Sequence, residues 1–188
     1  MIRAFVGVTI PRDAAAALVV AQGHLPFGRM VPEENFHITL AYLGEHPDNL
    51  IEDAHGLLEI IDAPSFEIEI AGMDAFGRTP PRSVYAAVRP QPALSHLRKK
   101  VLRAARDAGI AVPGEKYVPH VTLARYDRDI APEDILRLEQ AVAAQSRLTA
   151  GPFEVADFAL FRSTLGKHAP TYDVLAEYPL SAAAPADR

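Results

Sequence analysis

The sequence predicts an α+β protein in which antiparallel sheets carry helices on their outer side. Three observations predict it: strands and helices are intermixed without strict alternation, several strands have one apolar and one polar face, and no glycine-rich phosphate loop of either familiar spacing occurs. A doubly wound parallel sheet fits this pattern less well. The 188 residues suit one domain, or two small lobes sharing a core, at the roughly 150 residues typical of a domain. With 49% apolar and 23% charged residues the chain can bury a core, which excludes wholesale disorder.

Residues 2–10, with Phe5, Val6, Val8 and Ile10, read as a first strand ended by Pro11, and the alanine-rich run behind it predicts a helix to about Gly23. Pro11, Arg12 and Asp13 break that apolar opening, so it is not expected to act as the hydrophobic region of a signal peptide. No stretch approaches the ~18 consecutive apolar residues of a membrane span, and the protein is expected to be soluble. Leu50, Ile51, Ala54, Leu57, Leu58 and Ile61 follow the helical period, with Asp48 or Asn49 available as N-cap. Phe66, Ile68 and Ile70 alternate with Glu67 and Glu69, a strand with one face in water, and a further strand covers Ser83 to Val88. Leu94, Leu97, Val101 and Ala105 predict a helix ending near Gly109, and Ile135, Leu138 and Val142 another opening after Pro132. Strands near Phe153 to Phe161 and Thr171 to Tyr178 close the fold. The tail from Ser181 has no pattern and is expected to be loose, leaving residues 1–180 as the domain.

Nineteen basic against 24 acidic residues give a net charge of -5, which excludes a protein that coats long nucleic acid through a dense phosphate grip. A local contact to a few phosphates stays open. The absence of cysteine excludes disulfides, thiolate zinc sites and a cysteine nucleophile, and leaves the cytoplasm as the default compartment.

One local sequence occurs twice, as His37-Ile38-Thr39-Leu40-Ala41 and His120-Val121-Thr122-Leu123-Ala124, each behind a proline-containing approach. Both pieces read as strands, and the period of two sends each His-Thr pair to one face and the apolar residues to the other. A lone copy would be read as a strand with a partly buried histidine. Two copies with the same parity suggest half-sites facing each other. In-line displacement at phosphorus needs a base on one side and an acid on the other, and histidine, with an unperturbed pKa of about 6.5, does either near neutrality. The threonine hydroxyls would donate to nonbridging phosphate oxygens. A metal site is the rival, but there is no His-x-x-x-His helix signature, thiolate or adjacent His-Asp pair, so no metal and no cofactor is expected.

At these residues the sequence resembles the 2H phosphoesterase superfamily, most closely its RNA 2',3'-cyclic phosphodiesterase branch, also called the 2'-5' RNA ligase family. The likeness extends to Arg3-Ala4-Phe5-Val6, to Asn35-Phe36 before the first motif and Leu43-Gly44-Glu45 after it, to Pro119 and Arg125 around the second, and to Phe158–Tyr172 with Ser163 and Gly166. The resemblance implies a bilobal fold with pseudo-twofold symmetry, one motif per lobe, and a positively lined cleft. It implies opening of a terminal RNA 2',3'-cyclic phosphate to a 2'-phosphate without metal, with weak reverse joining to 5'-hydroxyl ends. Carried over by position, His37 would be the acid and His120 the base, with Thr39, Thr122 and Arg125 holding the phosphate. Two departures are Ala41, where many relatives carry a basic residue, and the Tyr117-Val118-Pro119 approach to the second motif.

Arg125 sits at the wrong strand parity relative to His120 and Thr122, so it must reach the site past the strand end or through a bulge. Arg82 is a further candidate for phosphate or base contact, with a solvated turn arginine as the alternative. Tyr42, Phe161 and Tyr172 are candidates for stacking on the terminal base, whereas Phe5 reads as core. Lys99, Arg103 and Arg106 read as the wet face of a helix, and His24, His46, His55, His96 and His168 as surface residues. The expected partners are RNA 3' ends bearing 2',3'-cyclic phosphate, and the expected state a monomer. Two other functions stay open: the same chemistry on a small cyclic nucleotide such as ADP-ribose cyclic phosphate, and binding of RNA ends without turnover.

Overall fold

The computed structural model describes residues 1–77, 80–114, 116–127, 129–166 and 169–182. In chain order these form β1 (Ile2–Thr9), α1 (Arg12–Gln22), β2 (Arg29–Met30), a 3-10 turn (Glu33–Asn35), β3 (His37–His46), α2 (Asp48–Glu59), β4 (Phe66–Phe76) and β5 (Ser83–Val88). They continue as α3 (Pro92–Asp107), β6 (His120–Arg125), α4 (Pro132–Ala144), β7 (Thr149–Val155), β8 (Asp157–Thr164) and β9 (Thr171–Pro179).

Nine antiparallel strands form one sheet in the order β7-β4-β5-β6-β3-β1-β8-β9, with β2 added on β6. The two motif strands, β3 and β6, lie side by side at its centre. Only Ile38 opposite Val121 pairs them among the described residues, whereas β1 and β3 run together from Ile2–His46 to Thr9–His37. The sheet is thus two four-strand halves, β6-β5-β4-β7 and β3-β1-β8-β9, joined at a narrow seam.

The helices cross between the halves. α1 leaves β1 and packs on β6 and β7 of the opposite half; α3 leaves β5 and packs on β3 and α2. α2 covers β1 and β9, and α4 covers β4. Each half therefore has one local and one donated helix, and Leu18 of α1 and Leu97 and Val101 of α3 are fully buried in the common core. α3 starts where the Gln91 side chain accepts from the Ala93 N–H at 3.3 Å. It stops at Gly109, whose φ of +86° lets the Ile110 N–H return to the Ala105 carbonyl at 2.9 Å.

Three sequence expectations change. The strand expected over 153–161 is two strands sent to different halves: β7 pairs with β4 and β8 with β1. At the break the Ala156 carbonyl accepts from Leu180 rather than from either ladder, at 2.8 Å. Asp48 does not cap α2; Pro47 holds that position, and the Asp48 carboxylate pairs with the N-terminal ammonium at 3.3 Å. Ser181, expected to open the loose tail, bonds to the Ala63 carbonyl and the Ser65 N–H, while residues 183–188 lie outside the described part. Among the described residues no helix is long and apolar enough to cross a membrane.

Candidate active site

Both motif strands carry the same irregularity. Val6 faces Ala41 and Gly7 faces Thr39, so Leu40 is an extra residue in β3; Val84 faces Ala124 and Tyr85 faces Thr122, so Leu123 is the extra residue in β6. A bulge resets the parity behind it. Leu40-Ala41 and Leu123-Ala124 are consecutive buried pairs, and the next residues, Tyr42 and Arg125, return to the face of the His-Thr pairs. The bulge is how Arg125 joins its site. Tyr42 is its counterpart in the other half.

The two histidines are held alike. His37 Nδ1 donates to the Asn35 carbonyl and His120 Nδ1 to the Val118 carbonyl, each two residues back and each at 2.7 Å. A carbonyl accepts only, so both rings carry the proton on Nδ1 and present Nε2 to the cleft. His37 Nε2 accepts from the Thr39 hydroxyl at 3.1 Å. The Ile38–Val121 pairing sets His37 beside Thr122 and Thr39 beside His120, and these couples line neighbouring cavities.

Each imidazole rests on a stacked aromatic pair. Beneath His37 lie Phe5, at 4.6 Å between centroids, and Phe161, stacked on Phe5 at 4.8 Å; Tyr172 meets the His37 ring edge-on at 5.2 Å. Beneath His120 lie Phe76 at 4.8 Å and Tyr85 at 5.1 Å, stacked on each other at 4.2 Å. Tyr85 is tied by its hydroxyl to Asp74 at 3.3 Å. Gly7 keeps β1 close to this floor: a Cβ there would sit 3.0 Å from the Ile38 carbonyl and 3.5 Å from the His37 ring.

Burial in this aromatic setting disfavours the imidazolium and lowers His37 to about 4; the bond to Asn35 opposes the shift, while His120 and Arg125 add to it. His120 is lowered for the same first reason, with Val118 opposing and Arg125 adding. Both rings of the free protein are therefore neutral near neutral pH. Burial also raises the Tyr172 phenol and pushes Tyr117 up to about 12, so both remain hydroxyl donors.

Three cavities meet at the histidines. One of about 80 Å³ is lined by Arg29, Asn35, His37, Thr122, Arg125 and Tyr172, and one of about 310 Å³ by Arg3, Phe5, His37, Thr39, Tyr42 and Arg125. The third, about 300 Å³, lies on the His120 side, with Thr39, Tyr42, Phe76, Arg98, Lys116 and Tyr117. Five cations and no carboxylate are among the described residues that line them. A chain of net charge -5 thus concentrates positive potential in its cleft, as an anionic ligand requires.

Of the residues expected here, His37, His120, Thr39, Thr122, Arg125, Tyr42 and Tyr172 line these cavities. Phe161 does not offer a face for stacking: it is 6% exposed, with its ring against Phe5. Arg82 is exposed in the β4–β5 connection and is not among the described residues lining the cleft; its backbone bonds to Phe76 and Tyr126. Arg103 pairs with Asp107 at 3.5 Å on the wet face of α3, as expected. His55 is half-buried rather than on the surface, bonded to the Tyr178 hydroxyl at 2.9 Å, and half-buried His46 bonds to the Leu43 carbonyl at 2.8 Å. His168 lies outside the described residues. Among the described residues no three His, Asp or Glu side chains converge as a metal site would require.

Sequence reasoning missed Phe76, Tyr85, Arg98 and Asn35. Asn35 is buried, and its Nδ2 donates to the Pro170 carbonyl at 2.8 Å while its own carbonyl holds His37. Arg98 lies four residues beyond Leu94, on the border of the apolar stripe of α3. A cation at such a position was the available signal.

Residues 11–167 match the sequence model of the 2'-5' RNA ligase superfamily. A Geobacillus stearothermophilus protein named RNA 2',3'-cyclic phosphodiesterase is 32% identical over 94% of this chain, which spans only 56% of that relative. A Thermus thermophilus protein of the same name is 31% identical over 95% of this chain and 90% of its own. Among solved structures, Escherichia coli LigT with 3'-AMP has a TM-score of 0.77 at 22% identity, covering 95% of this chain and 98% of its own, and so shows the shared fold. A structure from Thermus thermophilus has a TM-score of 0.77 at 28% identity, covering 96% and 98%.

Proposed function

The chain belongs to the 2'-5' RNA ligase superfamily, and from that premise we propose that it opens terminal RNA 2',3'-cyclic phosphates to 2'-phosphates through a two-histidine acid and base pair. One observation carries the reading: two imidazoles with their tautomers fixed alike, each with Nε2 turned to a cation-lined cleft. The relatives that bear the name RNA 2',3'-cyclic phosphodiesterase support the substrate class.

The phosphorus sits between the two Nε2 atoms. His120, neutral in the free protein, takes the proton of the attacking water as its oxygen bonds to phosphorus. His37 gives a proton to the departing 3' oxygen as the P–O3' bond breaks, leaving the 2'-phosphate. A ring held at about 4 must first be protonated to act as acid. The bound phosphate anion supplies the negative charge that raises it. Thr39, Thr122 and Arg125 donate to the nonbridging oxygens, where charge builds in the transition state. Tyr172 and Tyr42 flank the terminal nucleoside. The same reading takes residues 1–180 as one bilobal domain acting as a monomer in the cytoplasm, a compartment that the absence of cysteine suits.

The test is incubation in EDTA with an oligonucleotide ending in a 2',3'-cyclic phosphate and, separately, with 2',3'-cyclic mononucleotides. Opening to the 2'-phosphate is expected to persist in chelator, with the oligonucleotide preferred. Loss in EDTA with recovery on adding a divalent ion would overturn the mechanism. Preference for the mononucleotide would move the substrate class, and tight binding without turnover would reduce the protein to an RNA-end binder.

A further inference from the structure

We propose that Tyr117 is a positioning residue: its hydroxyl ties the segment that orients His120 to the strand that carries His37, and so fixes the spacing of the two imidazoles. This role rests on the two-histidine reading above and names what holds that pair in register.

Beside the Ile38–Val121 pairing, the segments that lead into the two motif strands reach across the seam unequally. The segment that leads into β3 crosses as backbone: β2 pairs Arg29 with Arg125 and Met30 with Ala124, and the Val31 N–H reaches the Leu123 carbonyl at 2.8 Å. The segment that leads into β6, residues 110–119, forms no such ladder among the described residues. It reaches β3 through the Tyr117 hydroxyl, which donates to the Thr39 carbonyl at 3.2 Å.

Each end of that bond leads to a histidine. Next to Tyr117 is Val118, whose carbonyl holds His120 Nδ1 at 2.7 Å, and the Thr39 hydroxyl donates to His37 Nε2 at 3.1 Å. One hydrogen bond between the halves thus closes a path from imidazole to imidazole. The tyrosine is itself held in place. The Arg98 guanidinium lies 4.3 Å from its ring centroid, and burial pushes its phenol up to about 12, so it stays a donor. Between Tyr117 and His120, the Pro119 carbonyl accepts from the Val88 N–H at 3.1 Å, which fastens this stretch to β5. A shift at Tyr117 is therefore passed to the His120 ring and not absorbed in a loose loop. Misplacing a reacting group by roughly 1 Å costs about 10²-fold in rate, so a tether of this kind acts on the chemical step.

The experiment compares the wild type with Y117F, which keeps the ring and its contact with Arg98 and loses only the donor. Thermal melts are recorded, with kcat and KM for adenosine 2',3'-cyclic phosphate and the histidine ring-proton signals by NMR. Y117F should melt cooperatively and lose roughly tenfold in kcat with KM within about twofold, the split expected of misplaced reacting groups. The ring signals of His120 and His37 should both move, although His37 is not among the described residues that line the cavity of Tyr117. Unchanged kcat overturns the role. So does a loss carried by KM alone, which would make the hydroxyl a substrate contact, or a shift confined to His120, which would make it a local support. A Y117F that no longer melts cooperatively would make the hydroxyl a folding contact and overturns the role as well. If the wild type opens no cyclic phosphate, the functional reading falls and the NMR signals decide the tether: movement of both histidines upholds it, and a His37 signal left in place overturns it.

Discussion

Gln22 closes the bulge at Leu123. From the end of α1 its Nε2 donates to the Leu123 carbonyl and to the Val31 carbonyl, both at 2.8 Å, while the Val31 N–H reaches the same Leu123 oxygen at 2.8 Å. The extra residue that turns Arg125 into the cleft is thus fastened by a helix that begins in the other half of the sheet. Replacing Gln22 by Leu keeps the bulk and removes the donor, and leaving part-buried carbonyls short of a partner costs about 1 to 3 kcal/mol. Chemical denaturation should show a loss of that size. The surviving folded fraction should lose kcat/KM because Arg125 is less well aimed; unchanged stability would show that the bulge does not need this fastening.

On the proposed mechanism His37→Ala and His120→Ala each remove a proton-transfer group, and such groups contribute typically 10²- to 10⁴-fold. Both variants should lose that factor in kcat with little change in substrate binding. The double variant should be little worse than the worse single one, because the pair acts in one displacement. Thr39→Val and Thr122→Val keep the branched shape and should lose roughly 10- to 100-fold, as hydrogen bonds of about 1.5 to 3 kcal/mol imply. Near-wild-type kcat in either folded histidine variant would end the two-histidine mechanism.

Arg125 lowers both histidines, so its removal must raise them. Titration of the ring proton shifts by NMR in Arg125→Gln should show His37 and His120 moving up toward the ordinary value. The activity should nevertheless fall, by roughly 10- to 100-fold, because a charge-assisted contact to the phosphate is lost. A rise in pKa without a fall in rate would make Arg125 a tuning charge and not a phosphate ligand.

The buried imidazoles also make folding stability depend on pH. His37 is lowered from 6.5 to about 4 and His120 is lowered too, so between these values the unfolded chain binds more protons than the native one. Stability is then fully present above the unfolded value and is lost as pH falls through 6.5 toward 4. For His37 this amounts to at most about 3 kcal/mol, less where solvent reaches the half-buried ring. Denaturation midpoints measured from pH 7.5 to 4 should show the loss. His37→Gln should flatten that slope, and a variant as steep as the wild type would place the acid sensitivity elsewhere.

Much of the site was legible because a strand has a period of two. The parity of His37 with Thr39 and of His120 with Thr122 follows from the motif alone, and the mismatch of Arg125 already demanded either a bulge or a route past the strand end. That the extra residue is Leu123, and that Leu40 repeats it, depends on the pairing with β5 and β1, which lies far away in sequence. The same holds for Phe76 and Tyr85. They are unremarkable strand residues until β4 and β5 lie beside β6. The break at Ala156 has no proline or glycine to mark it, and the run from Phe158 to Phe161 is buried throughout, so the chain reads as continuous across a change of sheet half. Asn35 was visible only as part of a resemblance; its use as a strut between His37 and Pro170 is a tertiary fact.

The exchanged helices bear on how much the site must reorganise as charge moves. A sheet joined at its centre, among the described residues, only by the Ile38–Val121 pairing would be free to flex along that seam, and the distance between the two imidazoles would wander with it. With α1 rooted at Pro11 and packed on β6 and β7, and α3 rooted at Gln91 and packed on β3, widening the cleft means pulling both helices from the core at once. Spacing between the two imidazoles is therefore set during folding, so in the proposed displacement the dipoles aimed at a phosphate would need little rearrangement.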